Sequence, residues 1–345
     1  MKKWLVLLLS LALLLPLAAS AQEVVNVYNW EDYIDEAVLD QFEEETGIHV
    51  NYMRFTTNED MMVSVRANPG AYDVIFPSEY CVERLIAEDL LAEINYDNVP
   101  NMSYTLENLL NPDYDPNNAH SVPYMWGTVG ILYNTTMVSE PVDSWGILWD
   151  TDYMNNVFML DSIRDTMGVT LKYLGYSMNT RDPVALEAAK QKLIEQKQSG
   201  VVKAYQVDET KDKMVAGEAA LAVMWSGDAQ YAIDLNPDLA YAIPKEGSNV
   251  WVDCMVIPKT AKNKENAEAF INFLCRPDIA QKNCEAIWYS SPNTGAIELM
   301  GEEYTSNTVM NPSEEDIANC EYFNDIDEGF LAVYNALWQE VKNAK

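Results

Sequence analysis

Clusters of rings, carboxylates and hydroxyls stand where apolar runs of this chain end. Tyr28-Asn29-Trp30-Glu31-Asp32-Tyr33 follows the first run, and Ser78-Glu79-Tyr80 follows Ile75-Phe76. Asp161-Ser162-Ile163-Arg164-Asp165 follows Met159-Leu160, and Trp225-Ser226-Gly227-Asp228 follows Val223-Met224. In Trp251-Val252-Asp253 the two-residue period of a strand puts ring and acid on one face. Tyr289-Ser290-Ser291-Pro292-Asn293 follows a predicted helix. An ammonium stripped of water needs a carboxylate and other hydrogen-bond acceptors. The methylenes between two such groups need flat apolar walls. Tryptophan and tyrosine faces supply these walls and attract each ammonium by about 0.5–2 kcal/mol. The chemistry that fits is the holding of a flexible cation with an apolar body, a primary di- or polyamine. Any one cluster also reads as packing plus a surface acid. Asp228 doubles as a helix cap, and Arg164 beside Asp165 as a local ion pair. The repetition at element ends carries the binding reading.

The elements that must position these groups alternate. Strands are expected at Val24–Tyr28, Ile48–Met53 and Tyr72–Phe76, each followed by a helix. The first helix ends at Gly47. The second is capped by Asn58 and stops at Asn68-Pro69-Gly70. The third runs from Glu79 to about Leu90 with Ser78 as N-cap. This order means an α/β fold with parallel sheet and helices on both faces, with ligands at the carboxyl ends of strands. Asn95–Ser121 reads as an irregular surface excursion. Val122–Asn134 reads as a strand leaving the first lobe, and Val250–Pro258 as a strand returning to it. Helices are expected from Asp182 to near Gly200, Asp208 to Gly217, Asn263 to Cys275, Pro277 to Ile287 and Gly329 to Val341. Lobe 1 is expected to comprise 22–132 and 253–290, and lobe 2 133–252 and 291–345, with a cleft between them.

Residues 1–21 have the form of a secretory signal peptide. Lys2-Lys3 precede an apolar run that is short against the roughly 20 residues of a bilayer span, and Ala19-Ser20-Ala21 offers a cleavage site. No cysteine follows that run, so a lipid anchor is not expected. The net charge of −32 becomes −34 when Lys2 and Lys3 are lost, which excludes nucleic acid and anionic membranes as natural partners. An apolar fraction of 48% and nine tryptophans argue for packed cores rather than disorder. Cys81, Cys254, Cys275, Cys284 and Cys320 lack metal or redox spacing and are expected to be mostly buried thiols, with Cys275–Cys284 the one pairing open. His49 and His120 lie near no nucleophile motif and read as structural. No metal or cofactor is expected.

The motifs Trp30-Glu31-Asp32-Tyr33, Glu45-Thr46-Gly47-Ile48-His49-Val50, Ala71-Tyr72-Asp73-Val74-Ile75-Phe76-Pro77-Ser78, Pro123-Tyr124-Met125-Trp126-Gly127, Pro244-Lys245-Glu246-Gly247, Ala261-Lys262-Asn263-Lys264-Glu265 and Ile271-Asn272-Phe273-Leu274-Cys275-Arg276-Pro277-Asp278 occur in this order. Together they resemble the spermidine/putrescine-binding periplasmic proteins of ABC transporters, over nearly the whole mature chain. The resemblance implies the two-lobed periplasmic binding fold of type II, capture of polyamine in the periplasm, and delivery to a membrane permease driven by a separate ATPase. It implies a monomer. Trp30, Tyr33, Tyr80, Trp225, Trp251 and Tyr289 match aromatic ligand-box positions of that family, and Ser78 joins them at the strand end. Asp253 matches its amine-anchoring carboxylate. Asp165 falls where the family carries a ligand-binding glutamate. Asp32 and Asp228 match acids of putrescine-preferring members, while Glu31 stands where the family more often has Ser or Thr. Ser162, Val207 and Phe323 depart from an aspartate, a serine and a glutamine of the pattern. The box is mixed between the two ligand types, so ligand length stays open.

Three other readings stand beside this one: a binding protein for sugars or oligopeptides, a sensor that presents loaded protein to a receptor, and a hydrolase using Asp161 and Asp165. The hydrolase lacks a Gly-x-Ser-x-Gly elbow, a His-Glu-x-x-His motif and a phosphate loop.

Overall fold

The computed structural model describes residues 22–31 and 33–344. The expected signal peptide and Asp32 lie outside the described residues. Nine strands form one connected sheet: β1 (Val24–Trp30), β2 (His49–Phe55), β3 (Val74–Ile75), β4 (Ser121–Asn134), β5 (Val157–Leu160), β6 (Val202–Gln206), β7 (Leu221–Trp225), β8 (Leu239–Ala242) and β9 (Val250–Val256). Their order is β2-β1-β3-β9-β4-β7-β5-β6, with β8 also paired to β4. The outer strands are parallel: β1 with β2 and β3, and β5 with β6 and β7. The strands between them, β9 and β4, pair antiparallel to their neighbours.

β4 joins the two halves. Residues 121–128 pair with β9, and residues 129–134 pair with β7 and β8. Pro123 has no N–H to give the ladder, and the register shifts between Pro123 and Met125. The shift turns out Tyr124, whose hydroxyl donates to the Tyr33 carbonyl at 2.8 Å.

Alternation along the strands gives each half two packed faces. In the first half, Val25, Val27, Phe76, Met255 and Ile257 pack under helices that bring Phe42 and Phe270, whose ring centroids are 5.1 Å apart. Tyr28, Ile75, Val252, Cys254 and Val256 face the other way, onto Val65, Cys81 and Leu85. In the second half, Val129, Ile131, Val157, Met159, Leu221 and Val223 share one core, and Leu132, Phe158, Ala222 and Met224 another. Phe42 is fully buried, so truncation to alanine is expected to cost about 3–5 kcal/mol.

Helix Glu36–Thr46 ends at Gly47, whose φ of 74° needs no side chain. Strand β3 is only two residues long, and the helix after it is Glu79–Ala87. The expected excursion 95–121 carries three short 3-10 turns and buries Val99, Leu109 and Asp115. Helix Thr294–Thr305 and Met310 pack with the first half through Tyr304 and Met310, whereas the sequence reading gave these residues to lobe 2. The terminal helix Glu328–Asn343 packs Tyr334, Trp338 and Val341 into the second half.

A strap formed by residues 317–327 runs between the halves. Ile317 and Cys320 pack on the first, and Asp325 binds Arg84 at 2.9 Å. Glu321 binds Lys172 at 2.8 Å, and Asp327 binds Arg181 at 2.8 Å. All five cysteines are free thiols, four of them buried and Cys320 half-buried. His49 and His120 pair with Glu43 and Asp115 at 2.8 and 3.1 Å. Among the described residues no helix is long and apolar enough to cross a membrane.

Candidate functional site

Asp253 lies on β9 with its side chain on the face opposite Val252 and Cys254. Its carboxylate is almost fully buried and accepts two hydroxyl hydrogen bonds. Tyr33 Oη donates to Oδ2 at 2.8 Å, and Ser78 Oγ donates to Oδ1 at 2.6 Å. Tyr33 is placed by the end of β1, where Asn29 Nδ2 holds the Tyr33 carbonyl at 3.2 Å. Ser78 stands at the N-cap of Glu79–Ala87, yet its hydroxyl serves Asp253 and makes no capping bond. Asn58 steadies it, donating from Nδ2 to Ser78 Oγ at 3.0 Å and to Tyr80 Oη at 2.9 Å. Burial pushes the Asp253 carboxyl up to about 6, against the pull of Ser78 and Tyr33. Both donors are neutral, so they satisfy its lone pairs without cancelling its charge. A cation brought against Asp253 would cancel it.

Rings close around this carboxylate. Tyr289 stands edge-on to Tyr33 at 5.7 Å and to Trp251 at 5.1 Å. Tyr289 and Trp251 both lie against glycine. A Cβ on Gly227 would fall 2.4 Å from the Tyr289 ring, and one on Gly127 would fall 2.6 Å from Trp251. Trp30 tilts onto Phe55 at 4.6 Å and donates Nε1–H to the Phe76 carbonyl at 2.8 Å.

The second half supplies the other acids. Asp165 is buried in the first turn of helix Ile163–Tyr173. Ser162 Oγ donates to its Oδ2 at 2.6 Å and Asn249 Nδ2 to its Oδ1 at 3.3 Å. Burial raises its pKa, opposed by Ser162, Asn249, Arg164 and Trp225. Asp228, in the first turn of Ser226–Leu235, has the Lys211 ammonium 3.3 Å from Oδ1. The Arg164 guanidinium reaches across to the first half, 5.6 Å from the Tyr80 ring and 4.3 Å from Phe323.

Tyr33, Ser78, Asp253, Tyr289 and Trp251 therefore form one contiguous group. Tyr80 joins it through Asn58, and Asp228 through Gly227. Asp165 is held by Ser162 and Asn249, and Trp30 by the Phe76 carbonyl. Glu31 is exposed at the end of β1. Sequence reasoning missed Asn58, Asn249 and Lys211, and named Glu79 in a cluster without giving it a role. Asn58 looked like a helix cap, a role that Thr57 takes. Glu79 is buried and accepts the Val252 N–H at 3.1 Å; burial pushes its carboxyl up to about 8. Asn249 and Lys211 carry no local signal, because their partners lie 84 and 17 residues away. Among the described residues no group of three His, Cys, Asp or Glu side chains is arranged to hold a metal.

The family model described as bacterial extracellular solute-binding protein matches residues 37–312. The spermidine/putrescine-binding periplasmic protein of Salmonella typhimurium is 36% identical over 99% of this chain and 99% of its own. The putrescine-binding periplasmic protein SpuD of Pseudomonas aeruginosa is 31% identical over the whole of both chains. Among solved structures, the spermidine/putrescine ABC transporter substrate-binding protein PotD of Streptococcus pneumoniae superposes with a TM-score of 0.84 at 39% identity, covering 93% of this chain and 98% of that one. By the match of residues 37–312 and the 36% identity along nearly the whole of both chains, the chain belongs to the bacterial extracellular solute-binding protein family.

Proposed function

We propose that this chain captures a polyamine, putrescine or spermidine, outside the cytoplasm and delivers it to an ABC transporter permease. The observation that carries the reading is Asp253: a buried carboxylate, hydrogen-bonded only to neutral hydroxyls in the pairs described above, and flanked by Tyr33, Tyr289 and Trp251. An ammonium there gains a compensating charge, and the rings receive the methylenes. Names of relatives with 31% and 36% identity over the full chain support the same ligand class. On this reading Trp30, Tyr33, Ser78, Tyr80, Asp165, Trp225, Asp228, Trp251, Asp253 and Tyr289 form the ligand box of a single chain, working as a monomer. The sequence adds Glu31 and Asp32 as further candidates. The two halves act as lobes, and residues 1–21 are removed on export to the periplasm. Isothermal titration with putrescine and spermidine at low salt, on protein refolded free of ligand, tests the proposal. Binding of at least one is expected. Absence of heat with both overturns it.

A further inference from the structure

Asn307 reaches from the first half to the second. It stands between helix Thr294–Thr305 and Met310, which pack with the first half. Its Oδ1 accepts the Val309 N–H at 2.9 Å and the Met310 N–H at 3.2 Å. Backbone N–H groups only donate, so the amide oxygen faces the turn and Nδ2 points away from it. Nδ2 donates to Gln230 Oε1 at 2.9 Å. Gln230 is oriented in the same way. Its Nε2 donates to Asp234 Oδ1 at 2.6 Å, which leaves Oε1 for Asn307. Gln230 is buried on helix Ser226–Leu235, whose Ala229 and Ala232 pack in a core of the second half.

The same two bodies meet a second time, at the rings. Gly227 and Gln230 are three residues apart and share a face of their helix. Gly227 takes the Tyr289 ring. On the other side Tyr304 ties Tyr289 to Asn307: its hydroxyl accepts the Ser291 N–H at 2.9 Å and donates to the Met310 carbonyl at 3.3 Å. The glycine–ring contact has no direction of its own, whereas the amide pair does. We propose that Gln230 and Asn307 are positioning residues, whose hydrogen bond sets how helix Ser226–Leu235 meets Tyr289 and holds the two halves together over bound ligand. The inference rests on the polyamine reading. Neither residue belongs to the ligand box named above. A bond that exists only while the halves are together opposes their opening, so its loss appears in the rate at which ligand leaves rather than the rate at which it arrives.

The test exchanges donor and acceptor along this chain of three side chains. Asn307→Asp keeps an oxygen for the two backbone N–H groups and sets an acceptor against Gln230 Oε1. Adding Asp234→Asn lets the Gln230 amide turn over, donating at position 307 and accepting at position 234, with the net charge as in the wild type. Gln230→Leu deletes the bond without changing charge and is carried in parallel in case Asn307→Asp does not fold. Thermal melts confirm folding. Stopped-flow kinetics with putrescine and with spermidine at low salt are read for each. Asn307→Asp and Gln230→Leu are expected to speed dissociation by about tenfold, the scale of one lost hydrogen bond, with association changed by less than about twofold. Asp234→Asn alone, which still offers an acceptor to Gln230, is expected to match the wild type. The exchanged double variant is expected to return dissociation to the wild-type rate. A wild type that binds polyamine, with dissociation unchanged in the folded single variants at 307 and 230 or not restored in the folded exchange, overturns this inference alone. A wild type that binds neither ligand overturns the polyamine reading and this inference with it.

Discussion

Replacing Asp253 by asparagine removes one charge at nearly constant volume, and the structure fixes what should follow for both affinity and stability. The wild-type carboxyl lies at about 6 in the folded chain against 3.8 for an unburied aspartate. The folded protein therefore keeps a proton there that the unfolded chain has already lost. This contribution to stability is complete below the unfolded value and declines as pH rises through the folded one. At 1.36 kcal/mol per unit, ionising Asp253 in the empty protein costs about 3 kcal/mol above pH 7. Asparagine escapes that cost, although its amide meets one of the two hydroxyls, which must then turn to accept. The variant is expected to gain up to about 3 kcal/mol on the wild type between pH 4 and pH 8, read from denaturant melts at each pH. Polyamine affinity should move the opposite way. Loss of a buried charge partner costs about 2–5 kcal/mol, or about 30-fold to several thousand-fold in Kd. In the wild type, affinity should weaken as pH falls through about 6, because protonation removes the anchor; in the variant that dependence should vanish. A variant that binds within threefold of wild type, or whose stability relative to wild type is flat with pH, refutes the assignment of Asp253 as a buried, uncompensated anchor.

Gly227→Ala puts a methyl 2.4 Å from the Tyr289 ring, so titration should show affinity reduced by at least about tenfold with the fold retained. Tyr33→Phe keeps the ring contacts and deletes one donor to Asp253. It should weaken binding by about 1.5–3 kcal/mol and raise the pH at which affinity falls, and an unmoved midpoint would count against the Tyr33–Asp253 bond. Glu79 holds its proton up to about 8, so the folded state loses stability as pH climbs from the usual carboxylate range to that value. Glu79→Gln should gain on wild type over the same interval in pH-resolved melts; a constant difference would mean that Glu79 is not held protonated.

The order of strands and helices in the first half was readable because its strands are apolar and its stops are strong. Gly47 and Asn68-Pro69-Gly70 end two helices where local chemistry demands it. Asp253 was readable from period two beside Trp251. Strand β6 was not, because every one of its residues is half-buried at a sheet edge and shows no alternation. Helix Thr294–Thr305 breaks its own pattern at Gly301, whose φ is 72°. Ser78 and Asn58 have the residue types of helix caps, and only the return of β9 brings the Ser78 hydroxyl to a carboxylate 175 residues away, with Asn58 bonded to Ser78 behind it. The Lys211–Asp228 pair depends on how two helices pack, which the residue types on either do not encode.

Cys320 gives the strap a practical use. The other four thiols are buried, so an alkylating dye offered to the native protein should find this one first. The label would ride beside Glu321, which Lys172 holds from one side, a few residues from Asp325, which Arg84 holds from the other. A change in its emission on titrating ligand would report rearrangement of the strap in a chain that needs no engineered cysteine.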